Sequence, residues 1–179
     1  MCCANTIAVD NVPLRMERIE CGQPFAVFLD VAETPDRLAS CLKSLKQLRR
    51  GRVICVANAD IQDAHLRPLV GRVLERYSDV GLTTIVNHGD ERLLQAIHDV
   101  VDGYERPAKA HVIANRQQAI AWALEQAQEG DCVLIAGCRD PHDAPVGTKT
   151  SSEKMIVRQL LRENQANEIE QLILRIHEA

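Results

Sequence analysis

The sequence predicts an α/β protein: a Rossmann-like, doubly wound, mostly parallel sheet of about six strands with one antiparallel edge strand. Three observations carry this. First, five short runs, "PFAVFLD", "RVICVAN", "VGLTTIV", "AHVIA" and "DCVLIAG", are rich in β-branched residues and mostly continuous rather than alternating. Strands buried on both faces of a parallel sheet read this way. Second, amphipathic helical patterns separate these runs, and the alternation is that of βαβ units. Third, a hairpin-like segment precedes the first run.

In order, Arg15 to Glu20 alternates and Cys21-Gly22-Gln23-Pro24 is turn-like, so Arg15 to Ile19 is expected as the antiparallel edge strand. Residues 34–48 place Leu38, Cys41, Leu42, Leu45 and Leu48 at helical spacing. That helix has a ready start: Thr34 caps, Pro35 fits the first helical position, and Asp36 suits the positive end of the dipole. Residues 65–77, 90–102 and 116–128 repeat the helical spacing between the later strands. Gly51, Gly71, Gly103 and Gly130 read as turn residues. Residues 138–150 form a Gly/Pro/Asp/His loop, and two helical segments follow, about 151–163 and 166–178. In the second, Ile169, Leu172, Ile173 and Ile176 form one apolar stripe. The expectation is that it folds back over its own sheet; the alternative is packing against a second copy or a partner.

Length and composition set the class. One domain over residues 1–179 is expected, with 46% apolar residues against disorder. A net charge of −4 gives no basic field for nucleic acid or an anionic membrane. No apolar run is long enough to span a bilayer, and the start lacks a signal-peptide layout. Seven cysteines, an odd number with no C-x-x-C pair, point to a reduced, cytoplasmic protein. The adjacent Cys2 and Cys3 read as idle thiols at a frayed terminus.

Chemistry is sparse. No phosphate loop of the form G-x-x-x-x-G-K-[ST] and no G-x-G-x-x-G follows the first strand. The six histidines are scattered. His88 and His142 stand where sites occur, but solvated loop histidines explain them more simply. Arg139-Asp140-Pro141-His142-Asp143 reads as an exposed polar turn. Asp30 and Glu33 are two nearby carboxylates without an identifiable acid–base partner. No catalytic residue and no metal ligand set is assigned. Asp30 stands out for its position, because α/β proteins bind ligands at strand carboxyl ends.

The order of segments resembles the C-terminal domain of the Mur ligases. "NVPLRMERIECGQPFAVFLDVAETPDRL" is similar to the start of that domain, and the similarity continues through "RPLVGRV", "AIHDVVDGYERP" and "NRQQAIAWALEQAQEGDCVLIAG" to the helix from Ser151. It covers about residues 11–162, leaving 166–178 as an extra helix. The nearest members add the third amino acid to UDP-N-acetylmuramoyl-dipeptide at the expense of ATP. The resemblance implies that Asp30 faces the cleft toward a central ATP-binding domain.

The family's ligand residues are largely replaced. Tyr-Ala-His after the strand is Val31-Ala32-Glu33. The glycine-rich stretch leading to Lys-Arg-Pro keeps Asp63, Arg67 and Pro68, but carries Gln62 and Leu66. Asp-Asn-Pro-Arg is Val86-Asn87-His88-Gly89, and Gly-Lys-Gly-His-Glu is Gly137-Cys138-Arg139-Asp140-Pro141. The arginines that would clamp a carboxylate are gone. The expectation is a stand-alone, degenerate domain, inactive alone, acting as a binding or interaction module, with no cofactor of its own. Asp30, Asn58, Asn87 and Gly137 are the ligand-binding candidates. The alternative is one subunit of a split ligase, with ATP and Mg completed by a partner carrying the missing domains. Self-association is a further expectation.

Overall fold

A computed structural model describes residues 16–32, 34–61, 63–85, 91–137 and 153–177, with side chains at all of these except 91–93, 168 and 171–177. Among these residues six strands form one sheet: β1 (Glu17–Ile19), β2 (Ala26–Asp30), β3 (Val53–Asn58), β4 (Val80–Ile85), β5 (His111–Asn115) and β6 (Cys132–Ala136). Their order is β1-β2-β6-β3-β4-β5. β1 pairs antiparallel with β2, and every other pairing is parallel. The expected architecture and its antiparallel edge are both present; Arg15 lies outside the described residues.

Among the described residues five α-helices flank the sheet: α1 (Pro35–Leu48), α2 (Arg67–Tyr77), α3 (Glu91–Val101), α4 (Arg116–Gln126) and α5 (Glu153–His177). Alternate strand residues serve opposite faces. Val53, Cys55, Ala57, Leu134 and Ala136 pack with Leu38, Leu42, Val70, Leu74, Ile97 and Val100 from α1, α2 and α3. Ile54, Val56, Val133 and Ile135 pack with Ile120, Leu124, Val157 and Leu161 from α4 and α5. Central strands buried on both faces explain the continuous apolar runs.

Three readings change. Gly71 lies inside α2, not in a turn, whereas Gly103 sits in the turn that follows α3, as expected. A Cβ at Gly71 would stand 2.0 Å from the Val100 carbonyl oxygen, and one at Gly103 1.8 Å from that of Pro68. These glycines let two helix backbones meet. Next, α2 begins at Arg67 after a single 3-10 turn, Ala64–Leu66. Pro68 explains the start, since a residue without an N–H suits a first helical turn. Finally, the two expected tail helices are one helix, α5, of 25 residues. The polar stretch Asn164–Asn167 holds no glycine or proline to break it. Ile169 is 59% exposed, so at that position the stripe does not cover the sheet.

Candidate functional site at the strand carboxyl ends

β6 sits between β2 and β3, and its following helix lies on the face opposite α1 and α2. This makes the carboxyl ends of β2, β6 and β3 the switch point of the sheet, where open α/β folds form clefts. Three candidates converge there. Asp30 is in register with Ala136. Gly137 follows directly, with φ of +76°, and a Cβ on it would stand 2.8 Å from Cβ of Asn58. Glycine is required there on both counts. Asn87, Glu33, His88 and His142 lie outside the described residues.

Each described candidate already has internal work. Asp30 is 2% exposed. Its Oδ1 accepts a hydrogen bond from the Ala32 N–H at 2.8 Å and one from Arg37 Nε at 3.0 Å. Ala32 has a φ of +28°, so the aspartate turn supports a backbone conformation that an alanine rarely adopts. The strand ends on a carboxylate because that carboxylate ties the exit turn to the first turn of α1. Thr34 caps α1 by accepting from the Arg37 N–H at 3.3 Å. Asp30 Oδ2 is enclosed, with no hydrogen-bond partner among the described residues. Cys41 lies below it; burial, then the Asp30 charge, pushes that thiol up to about 12. A thiol so raised is a poor nucleophile at neutral pH. Asn58 is partly buried, and its Oδ1 accepts from the Asp60 N–H at 3.0 Å.

Two arginines outside the candidate set organise the same edge: Arg116, which the sequence did not single out, and Arg67, which it gave only as a residue kept from the family pattern. Arg116, 6% exposed, opens α4. Its Nη2 donates to the Ala136 carbonyl at 2.9 Å and to Glu153 Oε2 at 3.1 Å, and its Nε donates to Glu153 Oε1. One guanidinium thus joins the end of β6 to the starts of α4 and α5. The only sequence signal was a buried-helix position bearing a charge, which demands a partner; Glu153 is too far along the chain for local spacing to reveal it. Arg67 donates to Asp99 Oδ2 at 2.9 Å and to the Ile61 carbonyl at 3.1 and 3.2 Å, fixing the exit from β3 against α3. Hydrogen bonds from Gln95 and Arg67 hold the Asp99 carboxyl below its usual range. Among the described residues no group of three His, Cys, Asp or Glu side chains could hold a metal, and no helix is long and apolar enough to cross a membrane.

The fold and its strand ends define the class: an α/β domain with a cleft edge built from tied side chains and a close glycine. Within that class the chain belongs to the Mur ligase family, whose glutamate ligase domain model matches residues 14–139. It is 40% identical over 131 residues to the UDP-N-acetylmuramoyl-L-alanyl-D-glutamate–2,6-diaminopimelate ligase of Geobacillus kaustophilus, covering 72% of this chain and 27% of that enzyme. The enzyme of the same name from Syntrophomonas wolfei is 37% identical over 132 residues, with the same coverage of each chain. The chain therefore spans about a quarter of the length of these curated relatives. A solved structure of a ligase of that name superposes with a TM-score of 0.71 at 27% identity, over 88% of this chain and 33% of that one. A domain from a Haemophilus ducreyi ligase shares the fold at 15% identity, with a TM-score of 0.54, over 83% of this chain and 98% of that one. The chain is a Mur ligase C-terminal domain related to peptidoglycan precursor ligases.

Proposed function

We propose that this chain acts as a binding or interaction module linked to peptidoglycan precursor synthesis and is not catalytic by itself. The observation that carries this reading is the fate of the retained residues. Asp30 and Arg67, which survive from the family pattern, are both engaged inside the domain, by Arg37 and Ala32 and by Asp99 and Ile61. The positions that would hold an incoming amino acid carry Gln62, Gly89 and Pro141 in the sequence, none of which offers a charge to a carboxylate or an ammonium. Any small ligand would be taken at the strand ends, near Asp30, Asn58, Asn87 and Gly137.

The test is a coupled assay of the purified chain with ATP, Mg, 2,6-diaminopimelate and UDP-N-acetylmuramoyl-dipeptide. No ADP above the blank is expected, and ADP release or ligated product would refute the reading. A second reading, a subunit that completes a ligase with a partner bearing the ATP site, draws support from the superposition over 88% of the chain on a full ligase. Activity appearing only on adding such a partner would select it.

A further inference from the structure

We propose that the outer face shared by α1 and α2 is a docking surface for an acidic helix of a protein partner. This rests on the reading of the chain as an interaction module and names the surface through which it acts. Tyr77, the last residue of α2, carries two cations on its ring: Lys43 Nζ lies 5.0 Å from the centroid and the Arg76 guanidinium carbon 5.5 Å. Lys46 Nζ donates to the Arg76 carbonyl at 3.3 Å, so a third cation joins the group. Arg72 lies one turn before Arg76 and, like Lys43 and Arg76, is exposed. Among the described residues none of these four cations has a carboxylate within ion-pair distance. The acids that flank Arg76 in the sequence are already taken: Glu75 accepts from Arg106 and the Glu105 N–H, and Asp79 from Arg49 and the Val53 N–H.

Helix ends explain half of this cluster. Lys46 and Arg76 stand in the last turns of α1 and α2, where cations suit the dipole. Lys43 and Arg72 stand before those turns, and Arg72 is four residues from Arg76, a like-charge spacing that weakens a helix. No carboxylate of the described residues offsets that repulsion, so the complement comes from outside. Lys43 and Lys46 at i, i+3 and Arg72 and Arg76 at i, i+4 set charges about 5–6 Å apart, the spacing at which a helix presents its own acids. Arginine and tyrosine are also the side chains enriched at protein interfaces. A nucleic acid fits less well. The Tyr77 ring is occupied by Lys43 and Arg76 and packs against the core, so it offers no free face to a base, and a net charge of −4 opposes a long polyanion. The Arg49–Asp79 pair and the bond from the Asp79 N–H to the Val53 carbonyl place the ends of α1 and α2 at the amino end of β3. A helix docked there leaves the strand carboxyl ends open.

The probe is an alanine-based helical peptide of about 20 residues with glutamates at i, i+3, i+4 and i+7 along one face, beside the same peptide with glutamines. Titrated into the isotope-labelled full chain at about 50 mM NaCl, the glutamate peptide should shift the amide resonances around Lys43, Lys46, Arg72 and Arg76 with a Kd of about 1 mM or tighter. The glutamine peptide should leave them in place. Lys43→Gln/Arg72→Gln should weaken binding at least about fivefold with an unchanged Tm, because both side chains are exposed. Arg158→Gln/Arg162→Gln makes the same change in net charge on α5 and should leave binding as it was. No shift with the glutamate peptide, or shifts centred elsewhere, would overturn the proposal. Equal loss in the two double variants would mean that net charge alone acts, and would overturn the surface. An oligothymidylate of equal charge that displaces the peptide at lower concentration would overturn the acidic helix as occupant. Ligase activity in the coupled assay would refute the module reading and leave peptide binding here intact, whereas absent binding would remove this surface and leave that reading standing.

Discussion

Asp131 anchors the end of the sheet opposite the candidate site, and replacing it should be among the most damaging single changes to the domain. Its carboxylate accepts four hydrogen bonds: from the Arg52 N–H at 2.6 Å, Arg52 Nε at 3.1 Å, Arg52 Nη2 at 2.8 Å and the Gln128 N–H at 3.0 Å. Arg52 in turn donates to the Gln126 carbonyl at 2.8 Å, so the cluster joins the amino ends of β3 and β6 to the exit of α4. The Asp131 side chain is 4% exposed and that of Arg52 41%. The arginine can therefore regain water when the carboxylate is removed, while the two backbone N–H groups, whose bonds are part-buried, regain it less fully. Two partly buried N–H groups left unpaired cost about 1–3 kcal/mol each, and the lost guanidinium bonds add little beyond this once Arg52 is resolvated. Asp131→Ala should destabilise by about 2–6 kcal/mol, lowering Tm by about 4–24 °C for a chain of this length. Asp131→Asn keeps the shape and should cost less, about 2–3 kcal/mol.

The same cluster sets a pH dependence. Burial alone would raise the Asp131 carboxyl, but the Arg52 and Gln128 hydrogen bonds and the Arg52 charge outweigh it and hold the group below the usual carboxylate range. A depressed folded value means stability that is present above the unfolded value of about 3.9 and lost as pH falls toward the folded one. Urea unfolding of wild type and Asp131→Asn at pH 7, 5, 4 and 3 measures this directly. The gap between them should narrow below about pH 4. A cost under about 1 kcal/mol for Asp131→Ala, or a gap unchanged down to pH 3, would refute the reasoning.

Other perturbations test the packing and the clamp. Gly103→Ala drives a methyl into the Pro68 carbonyl and should cost about 2–4 kcal/mol by chemical unfolding, with Gly71→Ala similar, since neither backbone can yield without parting α2 from α3. Glu153→Ala leaves the Arg116 guanidinium without its carboxylate and should increase hydrogen exchange at the start of α5 before the central strands respond. Cys55, raised by burial, should resist alkylation by a maleimide at pH 8 until the chain unfolds; labelling of the native chain at Cys55 would mean that the sheet opens locally.

Most of the fold was legible because its signals are local. Apolar runs bounded by turns gave the strands, and 3.6-residue spacing gave the helices. The unity of α5 was less legible, because a polar stretch such as Asn164–Asn167 looks like a linker when its backbone has no glycine or proline to decide the matter. The glycines were harder still. Gly71 lies in a helix and Gly103 in a turn, yet both also serve contacts, with Val100 and Pro68, that are distant in sequence and that no local rule reveals.

The site was legible in position and not in role. A carboxylate at a strand end marks Asp30 as a ligand residue by topology, and the family resemblance strengthens that reading. The structure adds that the side chain is spent on Ala32 and Arg37. Arg37 reaches Asp30 from the first turn of α1, and its side chain is 27% exposed while that of Asp30 is sealed. Part of the guanidinium is sealed with it, Nη2 being buried. The carboxylate is thus held inside the domain, and its charge is matched there. The sequence could not show this, because the charge a ligand meets is set by which member of an ion pair is buried, and burial is a property of the folded sheet.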